Sequence, residues 1–430
     1  MKIIIIHYRY YEASGPERYL FNVSKLLKEN GHKVIPFSLD FKQNKKSKYS
    51  KHFPQPVVDQ FHVSQQSNIS AKNKLKIIKN SFYNMEVYNN LDNLIKLEKP
   101  DIAYILQYGN KLSTSIFDAC TVNNIPTVLR LSDFNLLCSK NIFYRDNKIC
   151  TKCIEGKFSS VKHKCVHDSY MQSFVYYLTQ KYNEFRKFEK QIDAIIAPSK
   201  FTINQIIKSK QFNNNKFYHV PTFVDKMTTS FSQENNLKTY DLKEGLKLCY
   251  FGRIAEDKGI DVLIEAIKLL NSRNLKVSVD VYGDDNNEHS IFLKKIAQNL
   301  GVNNIYFKGF ISSDEVHSAF KNYHYSVIPS KWYDNMPNSL IESCINGVPA
   351  IVSAIGSLDE IIENNNNGFT FEVSNPESLA IKLQYLFEID EIEYNRLSIN
   401  VYNWIKMYGD KKTHYNNIIN IFRKLNEINN

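Results

Sequence analysis

The chain has 430 residues, 43% hydrophobic and 23% charged, with 14 Gly and 12 Pro, a composition that excludes collagen, coiled-coil arrays and wholesale disorder. Lys and Arg number 55 against 44 Asp and Glu, and the net charge of +11 is concentrated in residues 1–225, which hold 34 of the cations and 18 of the acids. The length predicts two or three domains, and no run of about 20 apolar residues predicts a membrane-spanning helix.

The opening MKIIII reads as a strand over residues 3–6. It turns polar at His7, too soon for the apolar segment of a secretory leader, so a cytosolic chain is expected. A helical pattern over 17–30 follows, with Gly31 where a helix C-cap belongs, then a strand at Lys33–Phe37. Lysines gather at Lys42 to Lys51 and Lys72 to Lys79. They read either as a solvated face or as a surface that meets the anionic inner face of the cell membrane. Further strands are expected at 102–106, 127–131, Ala194–Ala197 and 218–220. Near 221–245 the pattern breaks into Pro221 and a polar stretch over 228–236, which reads as a linker.

The alternation then restarts. Strands are expected at Leu246–Phe251, Val277–Tyr282, 305–308, 325–329, Ala350–Ser353 and 369–371, with helices between them such as 261–270 and Asn338–Ile345. Strand–helix alternation of this kind implies parallel sheets covered on both faces. The prediction is an α/β chain of two Rossmann-like, doubly wound domains, 1–222 and 223–405, facing a cleft, with a ligand at the carboxyl ends of the strands. Residues 401–425 read as one or two helices, and 406–430 is expected to pack back on the first domain.

Chemistry concentrates in the second half. Gly252-Arg253 ends a strand, and Lys258-Gly259 precedes a helix. Two cations at a strand mouth beside a helix N-terminus suit a diphosphate, though each alone also reads as an ordinary surface charge. In Ser330-Lys331-Trp332-Tyr333-Asp334-Asn335-Met336-Pro337-Asn338-Ser339-Leu340-Ile341-Glu342, Pro337 and Asn338 mark a helix start. Asp334 then sits before the helix and Glu342 about one turn inside it, where carboxylates can accept from sugar hydroxyls. The alternative is a helix start decorated with acids for its dipole.

Four of seven cysteines, Cys138, Cys150, Cys153 and Cys165, are separated by eleven, two and eleven intervening residues in a Lys-rich loop. A structural zinc site with four thiolate ligands fits that spacing, with His163 or His167 able to replace one of them. Thiols, redox-active or not, and disulfides are the other two readings.

From Leu246 to Val373 the pieces GRIAEDKG, VYGDD, FKGFISSDEV and PSKWYDNMPNSLIESCINGVPAIVS are similar to the C-terminal domain of family 4 retaining glycosyltransferases of the GT-B fold. Ser14-Gly15-Pro16-Glu17-Arg18 resembles the glycine loop before that family's first helix, and the four-cysteine insertion at 138–165 resembles a subset of it. The resemblance implies a nucleotide-diphosphate sugar donor of UDP or GDP type and no catalytic metal. It implies a glycan or lipid-linked acceptor of surface polysaccharide, bound through loops near 40–90 and 107–115. Arg253 and Lys258 would grip the diphosphate, Glu342 the ribose, and Asp334 with the amides of Asn335 and Met336 the donor sugar. Gly15 would approach the diphosphate from the first domain, and the Gly252 and Asn338 backbones would line the same place. Base contacts are expected near Tyr282-Gly283 and Phe310-Ile311. The family's first acid is usually Glu, so Asp334 departs from it by one methylene. The family's first-domain His is replaced by Ser132 before Asp133, leaving Arg130 or Asp133 either to line the acceptor side or to serve as buried structural charges. An epimerase of the same fold and a non-catalytic subunit are the alternatives.

Overall fold

The computed structural model describes residues 1–58, 69–212, 216–224 and 239–429. The linker expected at 228–236 lies outside these residues. The chain divides into two compact units, Met1–Ile142 with Thr151–Thr222 and His414–Asn430, and Phe143–Cys150 with Phe223–Thr413.

In unit 1 the four isoleucines of β1 (Lys2–His7) are all buried, as a central parallel strand covered on both faces requires. Helix α1 (Gly15–Glu29) turns Tyr19, Leu20, Val23, Leu26 and Leu27 inward at helical spacing. Gly31, at φ +80°, ends it in a left-handed turn that leads to β2 (Lys33–Phe37). Then come α2 (Ala71–Phe82), α3 (Met85–Glu98), β3 (Ile102–Gln107), α4 (Gly109–Leu112), α5 (Ser115–Val122) and β4 (Thr127–Arg130).

A two-stranded hairpin, β5 (Tyr144–Arg145) and β6 (Lys148–Ile149), belongs to unit 2. Unit 1 resumes with α6 (Lys152–Glu155), α7 (Ser159–Lys162), α8 (Tyr170–Phe185), β7 (Ala194–Ala197), α9 (Lys200–Lys208) and β8 (Phe217–His219). Its sheet runs β2-β1-β3-β4-β7-β8, all parallel, so the order reverses between β1 and β3.

Unit 2 continues with β9 (Leu246–Phe251), α10 (Ile260–Ser272), β10 (Val277–Tyr282), α11 (Glu288–Asn299), β11 (Ile305–Gly309), α12 (Ser313–Ala319), β12 (Tyr325–Ile328) and α13 (Asn338–Ile345). It closes with β13 (Ala350–Ser353), α14 (Gly356–Ile361), β14 (Gly368–Phe371), α15 (Pro376–Tyr385), α16 (Glu391–Tyr408) and the start of α17 (Lys411–Asn429). Its parallel sheet runs β11-β10-β9-β12-β13-β14 and reverses between β9 and β12. Seven buried side chains of α10, from Ile260 to Leu270, join the core, each large one worth about 1.5–3 kcal/mol.

From His414 onward α17 belongs to unit 1. His414 accounts for the anchoring: its Nδ1 is 2.8 Å from the Pro221 carbonyl and its Nε2 is 2.9 Å from the Tyr19 hydroxyl. The Phe422 ring meets Tyr104 edge-on at 5.3 Å. The insertion expected wholly in the first domain is divided. Phe143–Cys150 goes to unit 2, because Phe143 meets Tyr333 edge-on at 6.2 Å and Ile149 packs on the cluster around Ile341 and Leu358.

Candidate active site

Strands β9 and β12 are neighbours at the reversal of the unit 2 sheet, the place where doubly wound sheets hold a ligand beyond the carboxyl ends of their strands. One loop carries Gly252, Arg253 and Lys258; the other runs from Ser330 to Pro337. Two glycines let the backbones approach. Gly259, at φ +70°, sits where a Cβ would fall 1.9 Å from the Pro329 carbonyl oxygen. At Gly283 a Cβ would fall 2.2 Å from the Gly252 carbonyl oxygen. The Lys331 N–H also donates to the Asp257 carbonyl at 2.9 Å, tying one loop to the other.

Lys258 and Asp334 form one ion pair. The ammonium donates to both carboxylate oxygens, at 2.8 and 3.0 Å, with side-chain exposures of 14% and 9%. The Ser330 hydroxyl donates to the same carboxylate at 2.7 Å, and the Ser357 hydroxyl to the Asp334 carbonyl at 2.6 Å. The sequence reading gave Lys258 to the diphosphate and Asp334 to the sugar as separate groups. The structure couples them, because a buried carboxylate needs a cation and donors in place of water. The Lys258 ammonium also lies 4.8 Å from the centre of the Trp332 ring. Lys331 pairs with Asp261, and Arg253 with Asp257 at 3.1 Å. The Tyr250 hydroxyl donates to the Arg253 carbonyl at 2.6 Å, and burial, with Asp334 and Asp257 nearby, raises its pKa.

The other expected residues take varied places. The Arg253 side chain is 66% exposed at the mouth of β9. Glu342 is half-buried, four residues into α13. Asn338 opens that helix behind Pro337; Asn335 and Met336 are half-buried in the loop before it, and Met336 packs on the core with Tyr333. Tyr282 stacks on Phe251 at 4.7 Å and reaches the Tyr323 hydroxyl at 2.8 Å, so its ring is an internal support. Phe310 is 84% exposed and Ile311 packs inward. Gly15 lies in unit 1 as the first residue of α1, inside the helix rather than in a loop before it.

Arg130 and Asp133 are buried and engaged in unit 1. Arg130 donates to the Thr222 hydroxyl at 2.8 Å and covers the Tyr19 ring at 3.7 Å. Asp133 accepts from Gln107 and the Asn135 N–H, both at 2.9 Å, and burial raises its pKa. Among the described residues no group of three or more His, Cys, Asp or Glu side chains comes together as a metal site. Cys138, Cys153 and Cys165 belong to unit 1 and Cys150 to unit 2.

Two features escaped the sequence reading. The hairpin packs Phe143, fully buried, on Tyr333 beside the Asp334 loop. Its Tyr144 phenol is pushed up to about 12, first by burial and then by Glu256, Asp261 and Asp257. At the reversal of the unit 1 sheet, Glu17 is fully buried with Arg9 at 3.0 Å and His7 at 3.6 Å. Lys111 of α4 lies 5.4 Å from the Tyr8 ring centre, and burial together with Arg9 lowers its pKa to about 8. A charged residue within the first helical turn after an apolar strand was the only sign of Glu17.

Residues 232–404 match the family model described as glycosyl transferases group 1. An uncharacterized glycosyltransferase of Methanocaldococcus jannaschii is 33% identical over 135 residues, 31% of this chain and 33% of that one. The capsular polysaccharide biosynthesis glycosyltransferase CapM of Staphylococcus aureus is 28% identical over 230 residues, 51% of this chain and 57% of that one. The chain thus spans less than two thirds of either relative. Among solved structures, a glycosyltransferase of Rickettsia africae superposes with a TM-score of 0.68 at 18% identity, covering 99% of this chain and 98% of that one. Anabaena HepE, solved with UDP and glucose, gives 0.62 at 15%, covering 98% and 99%. At these identities the likeness establishes the fold, GT-B, and nothing finer.

Proposed function

We propose that the protein is a retaining glycosyltransferase that moves a hexosyl group from a UDP-type nucleotide sugar to a lipid-linked acceptor in surface polysaccharide synthesis. The observation that carries this reading is the buried Lys258–Asp334 pair at the β9–β12 reversal, within a segment that matches group 1 glycosyl transferases. CapM's part in capsular polysaccharide biosynthesis supports the polysaccharide setting, and the UDP in the HepE structure supports the donor type.

In this reading the ammonium of Lys258, held by Asp334, directs its third N–H at the donor diphosphate, and Arg253 adds a second cation. As the sugar–phosphate bond breaks, negative charge grows on the diphosphate, and cations already in place stabilise it without reorganising. The leaving phosphate takes the acceptor's hydroxyl proton, and the acceptor oxygen bonds the anomeric carbon on the same face. Glu342 accepts from the ribose hydroxyls. Asp334 aims Lys258, and its remaining lone pairs, with the Asn335 and Met336 amides, take the sugar hydroxyls.

The test is UDP release from UDP-sugars with a glycan acceptor, with the product anomer read by NMR. Glu342→Ala and Lys258→Ala should each lower turnover at least ~100-fold, as loss of one preorganised group does. Near wild-type turnover in both variants, or an inverted product, overturns the reading.

A further inference from the structure

Helix α8 of unit 1 is inside out. Its buried residues are Ser173, Tyr176, Thr179, Gln180 and Asn183. Its exposed ones include Tyr170 (58%), Met171 (74%), Phe174 (45%), Leu178 (38%) and Phe185 (83%). Met171, Phe174, Leu178 and Phe185 fall at helical spacing and form one apolar stripe. A helix that serves only a soluble core shows the opposite pattern.

The orientation is specified by hydrogen bonds. Ser173 accepts from the Val166 N–H at 3.0 Å and Gln180 from the Lys157 ammonium at 3.2 Å. Asn183 accepts from the Thr114 hydroxyl at 2.9 Å, and the Thr179 hydroxyl lies 3.4 Å from that of Ser81. Rotating the helix to hide its apolar stripe would strand these polar groups. The stripe continues onto Phe158, 45% exposed, whose ring meets Tyr177 at 5.2 Å.

Cations border it. Lys162 and Lys164 are exposed at its amino end, with the Lys164 ammonium 4.6 Å from the Tyr170 ring centre. Helix α2 packs alongside through Phe82 on Tyr182 at 5.9 Å. It carries exposed Lys72, Lys74, Lys76 and Lys79, no acid, and Leu75 at 69% exposure.

We infer that this face docks the protein on an anionic lipid bilayer. Exposed aromatic and aliphatic side chains enter the boundary between headgroups and acyl chains, while bordering lysines meet lipid phosphates. A second copy is disfavoured, since pairing this face with itself would set lysines against lysines. The surface shares no residue with the proposed active site and is tested without any donor.

The experiment is co-sedimentation of the full chain with vesicles of phosphatidylcholine alone or mixed with phosphatidylglycerol. The wild type should pellet with the mixed vesicles only, and less as salt rises above about 0.15 M. A Met171→Asp, Phe174→Asp, Leu178→Asp variant should lose at least ~10-fold in vesicle affinity, as should a Lys72→Glu, Lys74→Glu, Lys76→Glu, Lys79→Glu variant. Both should keep the wild-type melting temperature; if the first does not fold, the lysine variant carries the test. Binding without preference for phosphatidylglycerol, or unchanged in the folded variants, overturns the proposal. So does a dimer that the Asp variant splits while the wild type ignores vesicles.

Discussion

Lys258 and Asp334 show how a buried charge shapes its surroundings. Each needs the other: removing one partner of a buried pair costs about 3–5 kcal/mol, whereas replacing both with apolar groups can be nearly neutral. Asp334→Ala should therefore lower the urea unfolding free energy by ~3 kcal/mol, and Lys258→Met with Asp334→Leu should recover most of it while remaining inactive. Gly259→Ala should cost at least ~2 kcal/mol, read as a fall in melting temperature, since φ is +70° and the new methyl meets the Pro329 carbonyl. Buried histidines set an acid limit. Burial, first of all causes, lowers both His7 and His414 to about 3, and each faces an arginine, Arg9 or Arg130. The unfolded chain takes up these protons near pH 6.5 and the fold refuses them until about pH 3, so stability is lost as the pH drops through that window. Each histidine contributes roughly 1.4 kcal/mol per pH unit there. Urea midpoints measured from pH 7 to pH 5 should slope less in His414→Gln than in the wild type. The seven-residue gap between Asp334 and Glu342 was legible from the amino acids alone. That Asp334 faces Lys258 was not, because those two residues lie on different loops and meet only when β9 and β12 pair.

At the scale of elements, the strands were the most legible. Four isoleucines in a row at β1, or the run at β9, have few alternatives to a strand buried on both faces. Helix α8 was not legible in its orientation, because spacing shows that a helix has two faces but not which one turns inward, and here Ser173, Thr179 and Asn183 do. The β5–β6 hairpin was placed with its sequence neighbours, although the Phe143 contact puts it with unit 2. Phe143→Ala should leave a cavity beside Tyr333 and loosen the Asp334 loop. The expected result is a several-fold rise in the donor KM with a smaller change in kcat, measured by UDP release. The C-terminal helix makes a second prediction. Deleting residues 411–430 removes His414 from Tyr19 and Phe422 from Tyr104, so the truncated chain should aggregate on expression rather than show reduced activity.

For the molecule as a whole, binding is linked to stability. UDP at about a hundred times its Kd should stabilise the ligand-binding unit by ~2.7 kcal/mol, seen as a higher melting temperature. Glu342→Ala should shrink that rise relative to the variant's own unliganded melting temperature. Charge divides the same way as structure, with the cations concentrated before residue 225 and the docking face in unit 1. By itself the amino-acid order determined the two α/β halves, the glycine turns and the types of residue available for a diphosphate, because local periodicity and backbone freedom are properties of short segments. Only the tertiary structure decided the strand orders, the pairing of Lys258 with Asp334, the unit to which Phe143–Cys150 belongs and the outward apolar face of α8. Those depend on which distant segments exclude water from each other, and no short stretch of chain carries that information.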